Sequence, residues 1–243
     1  MIFTRESQRP WLMLIARPLF FLAFQALIAT ILLSNRSGTA WKDSEAWWPA
    51  TVIFTNLICL TMLISFYKQE GKRFWEIFRI ERQFVKQDLR FVLGFLLIAG
   101  PLGYLPNVVC AQWLFADPQI ALDLLVRPLP AWAAITSFAL FPLLQGLVEI
   151  PTYMLYAMPR IEAQGVRPWA SMALASFFLS AQHIFAPFIP DTRFIIYRLV
   201  MFLPFAVLVA LVMHARPRLM PYIAIIHVLM DLSIAIMFLM VMK

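Results

Sequence analysis

Charge is scarce in this chain. Asp, Glu, Lys and Arg together make up 14% of its 243 residues, against roughly 25% in a soluble domain of similar size. That shortage excludes an ordinary soluble fold. Cysteine is nearly absent as well. Cys59 and Cys110 are the only two, and each falls in or at the edge of an apolar stretch, which excludes a disulfide framework and a cysteine-based metal knuckle. Histidine occurs three times. There is no internal repeat of the kind that often marks transporters, and no low-complexity tract.

What is present is apolar. Hydrophobic residues account for 62% of the chain and the mean hydropathy is +0.79. They fall into blocks near 11–33, 48–67, 91–114, 131–158, 169–189, 194–214 and 222–242. Each is close to the ~20 residues that a bilayer core requires. The fold class that follows is all-α: a polytopic membrane helix bundle of about seven transmembrane helices. It is read as one membrane domain over 1–243, with N-terminal spans and a basic segment in 1–115 and a helical core in 131–243. Arg5 and Arg9 precede a first block too long for the apolar region of a signal peptide, so no cleavable leader is expected.

The net charge of +7 could suggest a nucleic-acid partner, but the positive residues lie between the apolar blocks. Membrane topology accounts for them, and no nucleic acid is expected. Arg5 and Arg9, the segment 68–90, Arg160 with Arg167, and Arg216 with Arg218 form one basic set. The alternate connections are more balanced. There Arg36 and Lys42 face Asp43 and Glu45, Arg127 faces Asp117 and Asp123, and Arg193 sits beside Asp191. The positive-inside rule then puts the N-terminus in the cytoplasm and the C-terminus outside. An odd number of spans requires the same. Within 68–90, Phe74, Ile77, Phe78 and Val85 share one helical face while Arg79, Arg82 and Lys86 point away, with Glu81 interrupting the apolar side. This predicts an amphipathic helix lying on the membrane surface. A plain charged loop is the other reading.

The ionisable residues inside the apolar blocks carry the most information. Each costs a few kcal/mol at mid-membrane, so each is a functional candidate. Glu149 lies in the fourth block, His183 in the fifth, and His227 with Asp231 in the seventh. His227 and Asp231 are four apart and share a helix face one turn from each other. They can act on a common point, or Asp231 can orient the imidazole. Pro151, two residues after Glu149, removes the hydrogen bond that the Leu147 carbonyl would accept and loosens the helix there. A carboxylate with a histidine can activate water, and a second histidine can stabilise an oxyanion. The plainer reading is that such groups only join helices by hydrogen bonds.

The remaining polar residues read more simply. His214 falls at a span boundary near Arg216. Arg198, about one turn into the sixth block, is expected to snorkel to the interface. Asn56, Asn107, Gln25 and Gln145 read as interhelical polar contacts. Depth along straight spans conflicts with a single site: at ~1.5 Å per residue, Glu149 comes out roughly 14 Å from its cytoplasmic end and His183 roughly 20 Å. Tilt or a shifted fifth span would bring them level.

Three motifs in order resemble those of the CPBP family of intramembrane proteases, the CAAX-processing and bacteriocin-processing type. HVLMD, 227–231, matches that family's His-x-x-x-Asn/Asp motif. LSAQH, ending at His183, resembles Phe-x-x-x-His with Leu179 in the Phe position. EIPTYM resembles the Glu-Glu-x-x-x-Arg motif with Glu149 first, Ile150 in place of the second Glu and Met154 in place of the Arg. YAMPRIE, 156–162, is similar to the continuation of that motif in bacterial members. The resemblance covers about 140–235.

It implies an intramembrane glutamate-type endopeptidase. Glu149 and His183 would activate water, and His227 with Asp231 would hold the oxyanion. The catalytic set is therefore Glu149, His183, His227 and Asp231, with no cofactor required. If a metal is present, zinc on Glu149, His183 and His227 is the expectation. The implied partners are the lipid bilayer, a membrane-associated or lipidated peptide substrate, and a further protein subunit as an option. The implied location is a bacterial inner membrane. An inactive relative serving as scaffold, immunity or accessory subunit is the second reading. A haem- or zinc-binding protein using His183 and His227 is the third.

Overall fold

The computed structural model describes residues 5–35 and 37–243. Arg36 and the Arg5 side chain, both used in the charge count, lie outside what is described. Among the described residues all regular structure is helical, apart from an isolated bridge between Phe185 and Phe188. Six segments are long and apolar enough to cross a membrane: Glu6–Ser34, Ala40–Gln69, Phe74–Phe115, Ala131–Ala163, Thr192–Ala215 and Pro217–Met240. The protein is a multi-pass integral membrane helix bundle.

The helices, in order, are α1 (Arg5–Ser34), the short α2 (Ala40–Ser44), α3 (Trp48–Gln69), α4 (Val85–Phe115), α5 (Pro118–Leu125), α6 (Ala131–Ile150), α7 (Met158–Ala163), α8 (Pro168–Ala181), α9 (Thr192–Val200), α10 (Leu203–Ala215) and α11 (Met220–Met240). α6 sits at the centre, packed between α3 and α11, while α1 lies on α3 and on the turn that follows α6. α8 packs on α10, and α4 covers α9 and α10. Helices from 1–115 and from 131–243 thus share one packed body. The α6–α11 crossing is close because of a glycine. A Cβ on Gly146 would come within 2.5 Å of Val228 Cγ2 and 2.9 Å of the Ala224 carbonyl oxygen.

The fifth expected span differs from the expectation. Instead of one helix over 169–189, α8 has 14 residues and gives way to a 3-10 turn at Gln182–Ile184. Pro187 and Pro190 follow, and proline has no N–H with which to continue a helix. The chain still runs the length of the bundle here. Gln164 meets the Trp11 indole at 2.9 Å, while the Phe188 carbonyl accepts from Gln25 at 2.9 Å. Those two positions on α1 are about 21 Å apart along its axis. Among the described residues, six long helices and one short helix with an irregular extension therefore replace seven uniform spans.

The basic segment also differs. It forms two 3-10 turns, Phe74–Phe78 and Arg82–Phe84, separated by extended residues, rather than a continuous amphipathic helix. Its apolar residues divide between core and surface, with Trp75 and Ile80 exposed. Phe74 is buried, and Ile77 and Phe78 pack on the core. Glu70, just before it, is clasped by the Arg160 guanidinium.

Candidate active site

The segment after α6 aims the site. Pro151 leaves the helix without one hydrogen bond, and Pro151–Ala157 winds as a π-helix before α7 resumes the α geometry. The Thr152 hydroxyl donates to the Val148 carbonyl at 2.6 Å, satisfying one acceptor of the last α turn. Glu149 sits on that turn and is 2% exposed.

Four sequence-selected residues converge. His183 Nε2 lies 3.6 Å from Glu149 Oε1, and His227 Nε2 lies 3.7 Å from Glu149 Oε2. Asp231 Oδ2 is 3.1 Å from His227 Nε2. The depth conflict disappears because His183 is carried on the turn beyond the short α8. All four residues line one cavity of about 130 Å³ with Gln145, Gln182 and Arg198. Phe141, Leu179, Phe202, Phe205 and Met230 give it an apolar wall. A larger open groove of about 1080 Å³, beside Arg79, Arg82 and Arg218, holds none of the four.

The two imidazoles have opposite hydrogen-bonding roles. His183 Nδ1 faces the Ser180 carbonyl at 3.2 Å, so that nitrogen carries the proton, and in the neutral ring Nε2 is an acceptor. The ring is fixed by stacking on Phe202, with centroids 3.8 Å apart. Glu149 Oε1 and His183 Nε2 are then two acceptors side by side. A water donating one hydrogen to each, at about 2.8 Å, fits between them. His227 Nε2 instead faces two carboxylates, and there a donated N–H is favourable. Its Nδ1 is buried without a hydrogen-bond partner. Asp231 therefore meets the same nitrogen that faces Glu149. It does not brace the ring from the far side. The 3.1 Å separation is an electrostatic contact rather than an aligned hydrogen bond, since Asp231 Oδ2 has no hydrogen-bond partner.

The sequence reading missed Arg17. It lies inside the first apolar block, is 0% exposed, and places Nη2 3.8 Å from Glu149 Oε2. Its Nε donates to Gln182 Oε1 at 2.6 Å, Nη1 to Asn56, and Nη2 to Gln145 at 3.0 Å. Gln145 in turn donates to Glu149. The signal available was a single arginine amid apolar residues, next to Pro18. Asn56 and Gln145 are interhelical contacts as expected, and so is Asn107, which accepts from the Tyr197 hydroxyl at 2.5 Å. Arg198 departs from expectation. It is 5% exposed and turned inward rather than snorkelling. His214 stays at the helix end, 3.1 Å from Glu162.

Ile150 and Met154, where the resembling motif has charged residues, are buried in the apolar core. Among the described residues no group of three or more His, Cys, Asp or Glu is arranged to hold a metal ion. Compared with known protein families, curated proteins and solved structures, the chain matches none.

Proposed function

We propose that this protein is an intramembrane peptidase that uses Glu149 to hydrolyse a peptide bond of a membrane-associated or lipidated substrate. One observation carries the reading. A buried carboxylate stands between two imidazoles, one presenting an acceptor and the other a donor. Water held by Glu149 and His183 gives up a proton to the carboxylate as its oxygen attacks the scissile carbonyl. The N–H of His227 receives the developing oxyanion. Glu149 then delivers the proton to the leaving amine as the carbon–nitrogen bond breaks. Asp231 keeps His227 in the donating form. Arg17 holds Glu149 in place and offsets its charge. The likeness of the three motifs to CPBP proteases supports the same assignment.

A second reading, a non-catalytic scaffold, immunity or accessory subunit, draws on Ile150 and Met154, which bring only apolar packing where the resembling motif brings charge. In the peptidase reading, the basic end of the bundle, with Arg160, Arg216 and Arg218, faces the cytoplasm of a bacterial inner membrane. A metal-free mechanism predicts activity that survives chelation. Loss of activity on chelation would assign Glu149, His183 and His227 to zinc instead.

The test compares peptide N-termini in membranes of cells expressing wild type or Glu149→Ala at matched levels. Termini that arise only with the wild type support hydrolysis and identify the substrates. Identical profiles, with both proteins folded and inserted, sink the peptidase reading in favour of the second.

A further inference from the structure

Arg198 is the charged group of the cavity that this mechanism leaves unused. It rises from α9 and is 5% exposed. Its Nε donates to the His183 carbonyl at 3.0 Å and its Nη2 to the Ala186 carbonyl at 2.9 Å. Nη1 meets only the Met201 sulfur at 4.0 Å, a weak acceptor. The neutral carbonyls fix the side chain without offsetting its charge. Among the described residues no carboxylate lies within ion-pair distance of it, whereas Arg17 has Glu149 at 3.8 Å. A buried cation held by neutral carbonyls and the Phe194 and Phe202 rings, with no ion-pair partner, is expensive, and inside a membrane it is a functional candidate.

Position says what would use it. Arg198 lines the same cavity as Glu149 and His183. One ring joins the two ends: Phe202 stacks on His183 at 3.8 Å and lies 5.2 Å from the Arg198 guanidinium carbon. A group bound by Arg198 therefore sits within about three residues of the reacting carbonyl, at ~3.3–3.6 Å per extended residue. Leu179, Phe205 and Met230 supply an apolar surround. Planar fork geometry and an N–H pair lacking a strong acceptor suit a carboxylate.

We propose that Arg198 is an anion subsite that binds a carboxylate of the ligand, either an acidic side chain or a free chain end. The word substrate rests on the peptidase reading, but the binding does not. The test uses purified full-length protein in detergent and four probes: N-lauroylglycine and its amide, and N-lauroyl-aspartyl-glycinamide and its asparaginyl counterpart. Binding is read for wild type, Arg198→Gln and Arg198→Lys, without any need for hydrolysis. Wild type should favour the carboxylate member of at least one pair by ~10-fold or more, as expected for charge-assisted hydrogen bonds. The pair that discriminates tells a chain end from a side chain. Arg198→Gln should erase the preference, and Arg198→Lys should keep part of it.

Equal or absent binding within both pairs overturns the proposal, as does a preference that survives in Arg198→Gln. Displacement of the probes by phosphatidic acid alone, with no carboxylate preference, would assign the site to a lipid phosphate. Should Arg198→Gln fail to fold, Arg198→Lys takes its place, and a carboxylate preference that it leaves undiminished overturns the proposal. A silent N-terminus profile would leave this readout untouched, so the two failures are separable.

Discussion

The two walls of the cavity are built on different terms. On the Glu149 wall the charged groups are joined in one hydrogen-bonded network, although the Gln182 Nε2 is buried without a partner. Arg17 distributes its donors over Gln182, Asn56 and Gln145, and Gln145 passes a hydrogen bond on to Glu149. That wall draws on α1, α3, α6 and the turn after α8. On the α11 wall, His227 Nδ1 and Asp231 Oδ2 are buried without hydrogen-bond partners. Buried polar groups in a finished fold are normally satisfied. The contrast separates a wall organised around a buried arginine, with donors spread over several elements, from one whose polar groups share a single helix. The first should carry more of the stability, while both hold groups that the peptidase reading uses.

Three single substitutions probe that division and a fourth lies outside it, from the largest expected effect to the smallest. Arg17→Ala removes one member of a buried ion pair and should cost about 3–5 kcal/mol. Thermal unfolding in detergent measures it. Replacing both charges, Arg17→Met with Glu149→Gln, should recover much of that loss if the wall is structural. Gly146→Ala pushes a methyl into Val228 and the Ala224 carbonyl. It should cost about 1–3 kcal/mol through overpacking and also displace His227. Repacking with Val228→Ala relieves one of the two clashes and should restore part of the stability.

On the other wall, Asp231→Asn should change the unfolding midpoint little, by about 1 kcal/mol or less. It should still lower turnover by weakening the hold on the His227 proton. A large stability loss there would erase the distinction between the walls. The smallest effect belongs outside the membrane core. Burial disfavours the charged form of Glu70, but the Arg160 guanidinium outweighs it and holds the carboxyl below its ordinary value. A lowered folded-state value means that this pair stabilises above the usual carboxylate range, and the contribution fades as pH falls through the folded value. Glu70→Gln should cost under about 1 kcal/mol at neutral pH and nothing in acid. Midpoints measured across pH check this.

Hydropathy alone made the bundle and most of its helices legible, because a bilayer demands long apolar runs and leaves few alternatives. Local reading was enough where a residue acts on its own helix. Pro151 announced the loosened turn, and the spacing of His227 and Asp231 put them on one face. It failed where the outcome depends on distant partners. Arg17 is one residue in an apolar block, and its meaning lies in Asn56, Gln145 and Gln182 on three other elements. Arg198 read as a snorkelling side chain because its turn inward is decided by the carbonyls of His183 and Ala186. The basic segment has a helical hydropathy pattern, yet Phe74 and Phe78 turn to the core while Trp75 stays exposed.

The π-turn at Pro151–Ala157 has a consequence for how this chain tolerates change in length. A π-turn holds one residue more than an α turn, and one residue corresponds to about 100° of rotation. Deleting any single residue of that turn would let the helix heal into regular α geometry, apolar and long enough to insert. The two ends would then be out of phase, with Glu149 swung away from both histidines or Arg160 away from Glu70. Substitutions here are judged by packing, but length is judged by angle. Insertions and deletions confined to this one turn would rotate the Glu149 carboxylate while leaving the membrane topology of the chain intact.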